Sequence, residues 1–340
     1  MGSIKLATAA GFAVIYCVWG TTYLAVALAL AAIPPFLLMG SRSMLGGGLL
    51  LAAAWLRSRP VDAGTWARAA ICGVLFFVGC HGTMAYAQQR VPSGLAAVLL
   101  ATIPFWIALI GALLPGGQRP GWKQLGLLTL GLAGVALVLL GQDKGGRSAP
   151  ASLDIALLLG AALSWAVGTV LAKQWSPKDS EVAFSGIALV AGGAVLVVMS
   201  AWRGELATFD LSSVSLTAAG AWIYLTLAGT VLAFAVYTWL LKRVAPALVA
   251  TYTFVNPLIA LLLGWAVLGE AIGISMAVGA LLVIASVGGL LLTRQDAPRE
   301  ADHPLRAPSD KTPAGAAGCR VARADDRSRR PDRGSCQACA

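Results

Sequence analysis

Charged residues are scarce in this sequence, since Asp, Glu, Lys and Arg together make up 12% of its 340 residues. Soluble domains carry about 25% charged residues, so the scarcity excludes an ordinary soluble protein. Hydrophobic residues, by contrast, make up 58% of the chain. The composition therefore predicts an integral membrane protein whose main surroundings are the lipid bilayer.

Motifs for enzymatic and ATP-driven chemistry are also missing. The sequence contains no P-loop and no G-x-S-x-G motif, which disfavours ATP-driven pumping within this chain. The eight acidic residues before position 294 are scattered, and the closest pair, Asp179 and Glu181, has no histidine near it in sequence. We therefore predict no catalytic residue and no cofactor. An integral membrane enzyme acting on lipid-linked intermediates stays as the alternative function.

The end of the chain differs from the rest in composition. Ten of the 25 Lys and Arg residues and seven of the 15 acidic residues follow Thr293, so the net charge of +10 does not indicate a nucleic-acid partner. Residues 294–340 contain no aromatic residue and predict a disordered cytoplasmic tail. Cys336 and Cys339 form a single C-x-x-C without a second ligand pair. We therefore predict no metal site.

Long apolar runs dominate the first 293 residues. Runs of about 18 or more apolar residues are typical of transmembrane helices, and the sequence has ten of them. They span about 9–31, 36–56, 67–88, 93–114, 122–141, 153–173, 182–202, 215–241, 245–267 and 271–292. The pattern predicts an all-α integral membrane protein with ten transmembrane helices.

Loop charges predict the orientation of these helices. Cytoplasmic loops carry an excess of Lys and Arg. With the N-terminus inside, ten basic residues lie in inner loops: Lys5, Arg57, Arg59, Arg68, Arg119, Lys123, Lys173, Lys178, Lys242 and Arg243. Four lie in outer loops: Arg90, Lys144, Arg147 and Arg203. The bias predicts a multi-pass protein with both termini in the cytoplasm.

The two halves of the chain repeat each other. A shift of 153 residues places Arg90 on Arg243, Ala97 on Ala250, Pro104 on Pro257 and Gly126 on Gly279. A shift of 146 residues places Trp19 on Trp165 and residues 46–47 on 192–193. We predict a first repeat over 1–145 and a second over 146–293. Because five helices is an odd number, the two repeats must be inverted, and transporters with this architecture bind substrate near the midplane.

Two aligned prolines, Pro104 and Pro257, each interrupt an apolar run. A proline inside a helix removes a backbone hydrogen bond and clashes with the preceding turn. Such breaks are tolerated in a membrane only where protein or a water-filled cavity satisfies the freed carbonyl. We therefore expect both broken segments to face a central cavity.

Several stretches resemble the EamA branch of the drug/metabolite transporter superfamily. They are WGTTY at 19–23, Arg42, YAQQRVPSGLAAVLLATIP at 86–104, Trp165 and NPLIALLLGWAVLGE at 256–270. The resemblance covers about 1–293 and implies ten helices, two EamA repeats and efflux of a metabolite, amino acid or drug-like compound across a bacterial cytoplasmic membrane. One departure is Gly117, which stands where the family often has an acidic residue matching Glu270.

Polar and aromatic residues in the apolar runs are the candidates for function, because ionisable groups within a membrane are costly and usually functional. Arg42 would suit an anionic group such as a carboxylate, although snorkelling toward the surface is the alternative. His81 is a candidate for proton relay or for packing. Glu270 is the second coupling candidate, although it would also suit the N-terminus of the tenth helix.

The remaining candidates are aromatic or amide side chains. Trp19 and its partner Trp165 are expected to line the cavity, with Tyr23 on the same helix as Trp19. Asn256 precedes Pro257 and either binds a ligand or caps freed carbonyls, and Tyr252 lies one turn before it. The predicted partners are a small-molecule substrate and the bilayer, with a homodimer left open.

Overall fold

The computed structural model describes residues 2–56, 61–114, 121–140, 152–177, 180–250, 252–269 and 272–295. Regular structure in these residues is entirely helical. The predicted tail, 294–340, lies almost wholly outside them. The all-α fold predicted from composition is therefore confirmed for the part of the chain that the structure describes.

Ten helical segments match the ten predicted spans. They are α1 (Gly2–Leu30), α2 (Pro35–Trp55), α3 (Ala63–Gln88), α4 (Ser93–Leu113), α5 (Trp122–Leu140), α6 (Ser152–Trp175), α7 (Glu181–Trp202), α8 (Leu216–Arg243), α9 (Tyr252–Leu268) and α10 (Ile274–Gln295). Short helical turns precede two of them, Glu205–Thr208 and Leu211–Ser213 before α8 and Pro246–Val249 before α9.

Length and composition fit a membrane. Seven segments, α1 to α4 and α6 to α8, are long and apolar enough to span a bilayer, and shorter apolar helices cover Val255–Leu268 and Ile274–Ser286. Three tryptophans at helix ends, Trp55, Trp122 and Trp202, are almost fully exposed. Tryptophan is enriched at membrane–water interfaces, so these side chains suit the headgroup level on either side.

Helix contacts repeat between the two halves. The helices α2 and α7, which are equivalent in the two repeats, pack along each other, as do the equivalent helices α5 and α10. In addition, α1 packs on α8 and α9, while its equivalent α6 packs on α3 and α4. Exchanging the two halves therefore leaves the contact pattern unchanged, as a two-fold relation between five-helix repeats requires.

Aligned glycines allow α2 and α7 to approach closely. A Cβ on Gly47 would lie 2.8 Å from the backbone nitrogen of Val190, and one on Gly193 would lie 2.9 Å from that of Met44. Small residues let helix backbones approach closely in membranes, where packing rather than hydrophobic burial drives association. The glycine match found in the sequence thus marks the crossing of these two helices.

Helices α3 and α8, which are equivalent in the two repeats, share an irregularity. Each contains a π-helical segment, over Val74–Gly82 in α3 and Leu225–Leu232 in α8. π-helical turns are rare and often occur at functional sites. The segments bring His81 and the carbonyl of Gly229 toward the space between the repeats.

Candidate functional site

A cavity of about 40 Å³ lies between the repeats. Seven helices contribute to its lining, four from the first repeat and three from the second. The structure brings together around it all seven residues predicted to line a substrate cavity, namely Trp19, Tyr23, Arg42, His81, Trp165, Tyr252 and Asn256. Their role in binding a substrate stays a prediction.

Arg42 and His81 form a buried pair at this cavity. The Nη2 atom of Arg42 lies 2.9 Å from Nδ1 of His81, and the arginine is only 3% exposed. Arginine offers donors only, so Nδ1 accepts and a neutral His81 carries its proton on Nε2. The alternative of an arginine snorkelling to the surface is wrong, because the side chain is held inside the bundle.

Aromatic rings form one wall of the cavity. Trp19 and Trp165 meet edge to face with ring centroids 5.6 Å apart, and Tyr252 packs against Trp19 at 4.6 Å. The indole N–H of Trp19 donates to the carbonyl of Gly229 over 3.0 Å. This bond uses a carbonyl of the π-helical segment in α8, so it ties the first repeat to the second.

Three buried polar atoms of the lining have no hydrogen-bond partner. They are Nε of Arg42, Nε1 of Trp165 and Oδ1 of Asn256. Buried polar groups are nearly always hydrogen-bonded, so each of these atoms needs a partner, which water or a ligand can supply. Two are donors and one is an acceptor.

The aligned prolines are absent from the cavity lining, although residues of both broken segments belong to it. Helix α4 is interrupted at residues 101–102, just before Pro104, which is the second residue of the helix Ile103–Leu113. Pro257, in contrast, lies inside α9. The residues preceding the two prolines, Ile103 and Asn256, line the cavity. The broken segments therefore face the cavity through the residues that directly precede the prolines.

Threonine hydroxyls satisfy backbone carbonyls near both breaks. Oγ1 of Thr102 donates to the carbonyl of Leu99, and Oγ1 of Thr253 donates to that of Ala250, each over 2.7 Å. The prediction that the Asn256 amide caps freed carbonyls concerns its N–H groups and stays a prediction, since the unpartnered atom is the acceptor Oδ1.

The sequence did not single out several other lining residues. Thr22, Val26, Cys80, Met84, Leu100, Ile103 and Gly229 complete the lining. Apart from Thr22 and Cys80, they carry no polar group that distinguishes them from lipid-facing residues. Tyr237 was also missed, although its ring packs on both tryptophans and its hydroxyl bonds Thr169 over 2.6 Å. Glu270, the second coupling candidate, lies outside the described residues.

One end of the bundle is tied by an ion pair. Arg90, after α3, contacts Asp154 in the first turn of α6 over 2.5 Å, and the Asp154 side chain is 3% exposed. The hydrogen bonds that Arg90 donates to Asp154 raise the pKa of Arg90, so the guanidinium stays charged. Nearby, Glu205 accepts from the backbone N–H of Leu37 at the start of α2 over 2.9 Å, as suits a carboxylate at a helix N-terminus.

The opposite end is tied through lysine and arginine side chains. Lys173 of α6 donates to the carbonyl of Leu241 in α8, and Lys242 of α8 donates to the carbonyl of Lys173 over 2.7 Å. Arg243 lies 3.6 Å from Glu181 at the start of α7. Cross-links between helices therefore occur on both sides of the cavity.

The cavity is too small for a metabolite in this conformation. Ligand pockets typically enclose about 300–1,000 Å³, whereas about 40 Å³ holds no more than a few water molecules. A substrate that enters between the repeats must therefore separate helices that are now in contact.

Comparison with known proteins identifies relatives over most of the chain. The model of the EamA-like transporter family matches twice, over 7–140 and 153–292. The uncharacterized inner membrane transporter YedA of Escherichia coli K12 is 33% identical over 265 residues, covering 76% of this chain and 82% of YedA. Protein PecM of Dickeya dadantii is 29% identical over 277 residues, covering 80% and 88%. A solved crystal structure with 22% identity has the same fold, with a TM-score of 0.62 over 86% of this chain and 99% of that chain.

Proposed function

Because this chain belongs to the EamA-like transporter family, we propose that it is a secondary transporter that exports a small metabolite, amino acid or drug-like compound. It works by alternating access across the bacterial cytoplasmic membrane, with both termini in the cytoplasm. The relative YedA is named an inner membrane transporter, and the charge of the loops supports this orientation.

The observation that carries the proposal is the small polar cavity between two repeats, which the ion pair Arg90–Asp154 and the bond from Leu37 to Glu205 tie together at one end. A transporter that alternates must pass through a state closed on both sides, with its site between the repeats. The ion pair Arg90–Asp154 suits closure at its end, whereas the contacts of Lys173 at the other end join helices of the second repeat to each other. Opening between the repeats at the Arg90 end then requires this ion pair to break.

An enzyme acting on lipid-linked intermediates is less well supported. Its chemistry would require a general acid and base, or a metal, near a bound lipid. Among the described lining residues, His81 is the only side chain suited to proton transfer near neutral pH, and it is already bonded to Arg42. The relative YedA is named a transporter and not an enzyme.

The test is to compare cells with and without the protein for efflux of metabolites and resistance to toxic analogues. Any compound found is then measured by counterflow in proteoliposomes. Cys80→Met places a longer side chain in the cavity and should abolish counterflow, whereas Cys17→Met changes an exposed position and should leave it unchanged. Equal counterflow by both variants would show that the substrate passes elsewhere.

The energy source is tested with the same vesicles. His81 is the coupling candidate that lies at the cavity, and a proton on Nδ1 requires Arg42 to leave it. His81→Asn keeps an acceptor near the Nδ1 position but does not titrate. If His81 carries the coupling proton, this variant should lose dependence of efflux on a pH gradient and keep counterflow. Retained gradient dependence would direct the search to Glu270.

A further inference from the structure

We propose that the substrate is a small monoanion, a carboxylate with a neighbouring hydroxyl such as a 2-hydroxy acid, whose charge is balanced by Arg42. The inference rests on the proposed function, because it assigns a substrate class to the same cavity.

Arg42 has no carboxylate partner within the described part of the chain. None of the lining residues is Asp or Glu. The described carboxylates are all engaged elsewhere: Asp62 with Thr65, Asp154 with Arg90, Glu181 with Arg243, Glu205 with Leu37 and Asp210 with Ser212. Its one described side-chain partner, His81, is an acceptor that brings no negative charge when neutral.

The position of Arg42 makes this imbalance costly. The residue lies about 10 Å along α2 from Pro35 and is buried. A charge inside a membrane protein normally pairs with an opposite charge or faces a water-filled cavity. Here the guanidinium borders a cavity that holds only a few waters, so an anion that enters the cavity supplies the missing charge.

The unpartnered atoms indicate which hydrogen-bonding groups the ligand carries. A carboxylate accepts hydrogen bonds at two oxygens, and the lining offers two donors without a hydrogen bond of standard geometry, Nε of Arg42 and Nε1 of Trp165, the second of which also lies near the hydroxyls of Tyr237 and Tyr252. The free acceptor, Oδ1 of Asn256, requires a donor on the ligand. A hydroxyl beside the carboxylate provides that donor without adding a charge. The rings of Trp19 and Tyr252 then face the apolar remainder of the molecule.

Charge balance separates this ligand from an amino acid. An amino acid also offers a carboxylate and a donor, but its ammonium group cancels its own charge and leaves that of Arg42 uncompensated. A monoanion makes the loaded cavity neutral, which lowers the cost of moving it through a low-dielectric region. The site therefore favours the hydroxy acid over the amino acid with the same side chain.

The experiment uses pairs of compounds that differ only in this group: lactate and alanine, 2-hydroxy-4-methylpentanoate and leucine, 3-phenyllactate and phenylalanine. Ligand-induced thermal stabilisation of the purified full-length protein measures binding, and counterflow in proteoliposomes measures transport. In at least one pair we expect the hydroxy acid to bind and exchange at least about tenfold better than the amino acid. Arg42→Gln should weaken that binding about 10- to 100-fold, and Arg42→Lys should weaken it less, since the charge remains.

A second variant keeps the test independent of the folding of the Arg42 variants. Asn256→Asp is close in shape and places a carboxylate at the cavity, where it balances Arg42 and offers a partner for an ammonium. We expect it to reverse the preference, so that the amino acid of the pair binds better than the hydroxy acid. An unchanged preference in a folded Asn256→Asp protein would contradict the role of charge balance.

The outcomes separate the inference from the proposed function. If the amino acids bind and exchange as well as the hydroxy acids, or if none of the six compounds binds, the substrate class is wrong. Counterflow of another compound would then still support transport. If a hydroxy acid binds in a way that depends on Arg42 but no vesicle shows counterflow, the anion site stands and the transport proposal falls.

Discussion

The two repeats share a framework and differ in what they place at the cavity. The first repeat contributes Arg42 and His81, while the aligned positions of the second repeat hold Ala188 and Phe234, which are buried in the packed core. The second repeat contributes Asn256, whereas the aligned residue of the first is Ile103. Duplication therefore accounts for the architecture, and the chemistry depends on positions where the copies have diverged.

The helix breaks show the same divergence in the backbone. Relative to the aligned prolines, the break in the first repeat lies directly before Pro104, while in the second it lies around Ala250, more than one turn before Pro257. Asn256 consequently sits within the continuous helix α9. A side chain on a continuous helix is held more rigidly than one at a break, which suits a residue that positions a ligand.

The largest expected effect tests whether the aligned glycines of the two repeats contribute equally to the stability of the protein. We expect Gly47→Ala and Gly193→Ala each to destabilise the protein by about 1–3 kcal/mol, because each new Cβ meets backbone atoms of the facing helix. Thermal unfolding in detergent measures the loss. Gly48→Ala is the matched control, since a Cβ there meets nothing within 4 Å, and it should change stability little.

A difference between the two glycine variants would limit the symmetry. If Gly47→Ala destabilised the protein and Gly193→Ala did not, the helix pair would accommodate a new Cβ at one of the two aligned positions and not at the other. The second repeat already carries Ala194 at the position aligned with Gly48, so the control substitution has a precedent within the chain.

A smaller difference in stability is expected between variants of the aligned tryptophans, Trp19 and Trp165. Trp19→Phe removes the donor to the Gly229 carbonyl, whereas Trp165→Phe removes an N–H that makes no hydrogen bond of standard geometry. Both variants lose similar packing. We therefore expect Trp19→Phe to cost about 1 kcal/mol more in stability, measured by unfolding of the two variants side by side. Equal stabilities would mean that the bond to Gly229 contributes nothing.

Much of the fold could be predicted from the sequence because membrane helices are specified by local composition. Ten apolar runs identified the ten helices, and residue matches at constant spacing identified the repeat. The cavity residues were found for a similar reason: Arg42, His81 and Asn256 are rare polar residues in apolar runs, and such residues face the interior of the bundle.

Other features depend on contacts that local sequence does not encode. The bond between Arg42 and His81 joins residues 39 positions apart on two helices, so it depends on how those helices cross. Apolar lining residues such as Met84 and Leu100 resemble lipid-facing residues until the packing is known. The shift of the helix break relative to the aligned proline was missed because proline restricts the turn before it without fixing where the chain bends.

The smallest expected effect concerns the aligned N-caps of α3 and α8. Asp62 accepts from the backbone N–H of Thr65, and Ser215, which is 153 residues later, accepts from that of Ala218, each over 3.2 Å. Hydrogen bonds from the Thr65 side chain hold the pKa of Asp62 below its usual value. A carboxylate with a lowered pKa stabilises the folded state above its unfolded pKa, and that contribution is lost as the pH falls through the folded pKa. The cap of α8 has no titrating group.

Asparagine provides the comparison, because it caps helices about as well as aspartate but carries no charge. We expect native protein to unfold at a slightly higher temperature than Asp62→Asn at pH 7, and this difference should shrink toward zero as the pH is lowered past about 4. The difference between native protein and Ser215→Asn should stay constant over the same range, since neither side chain titrates. If the Asp62 difference persisted at pH 3, the advantage of aspartate would come from its shape and not from its charge at the helix N-terminus. The two caps would then be equivalent in chemistry as well as in position, and this divergence between the repeats would have no electrostatic consequence.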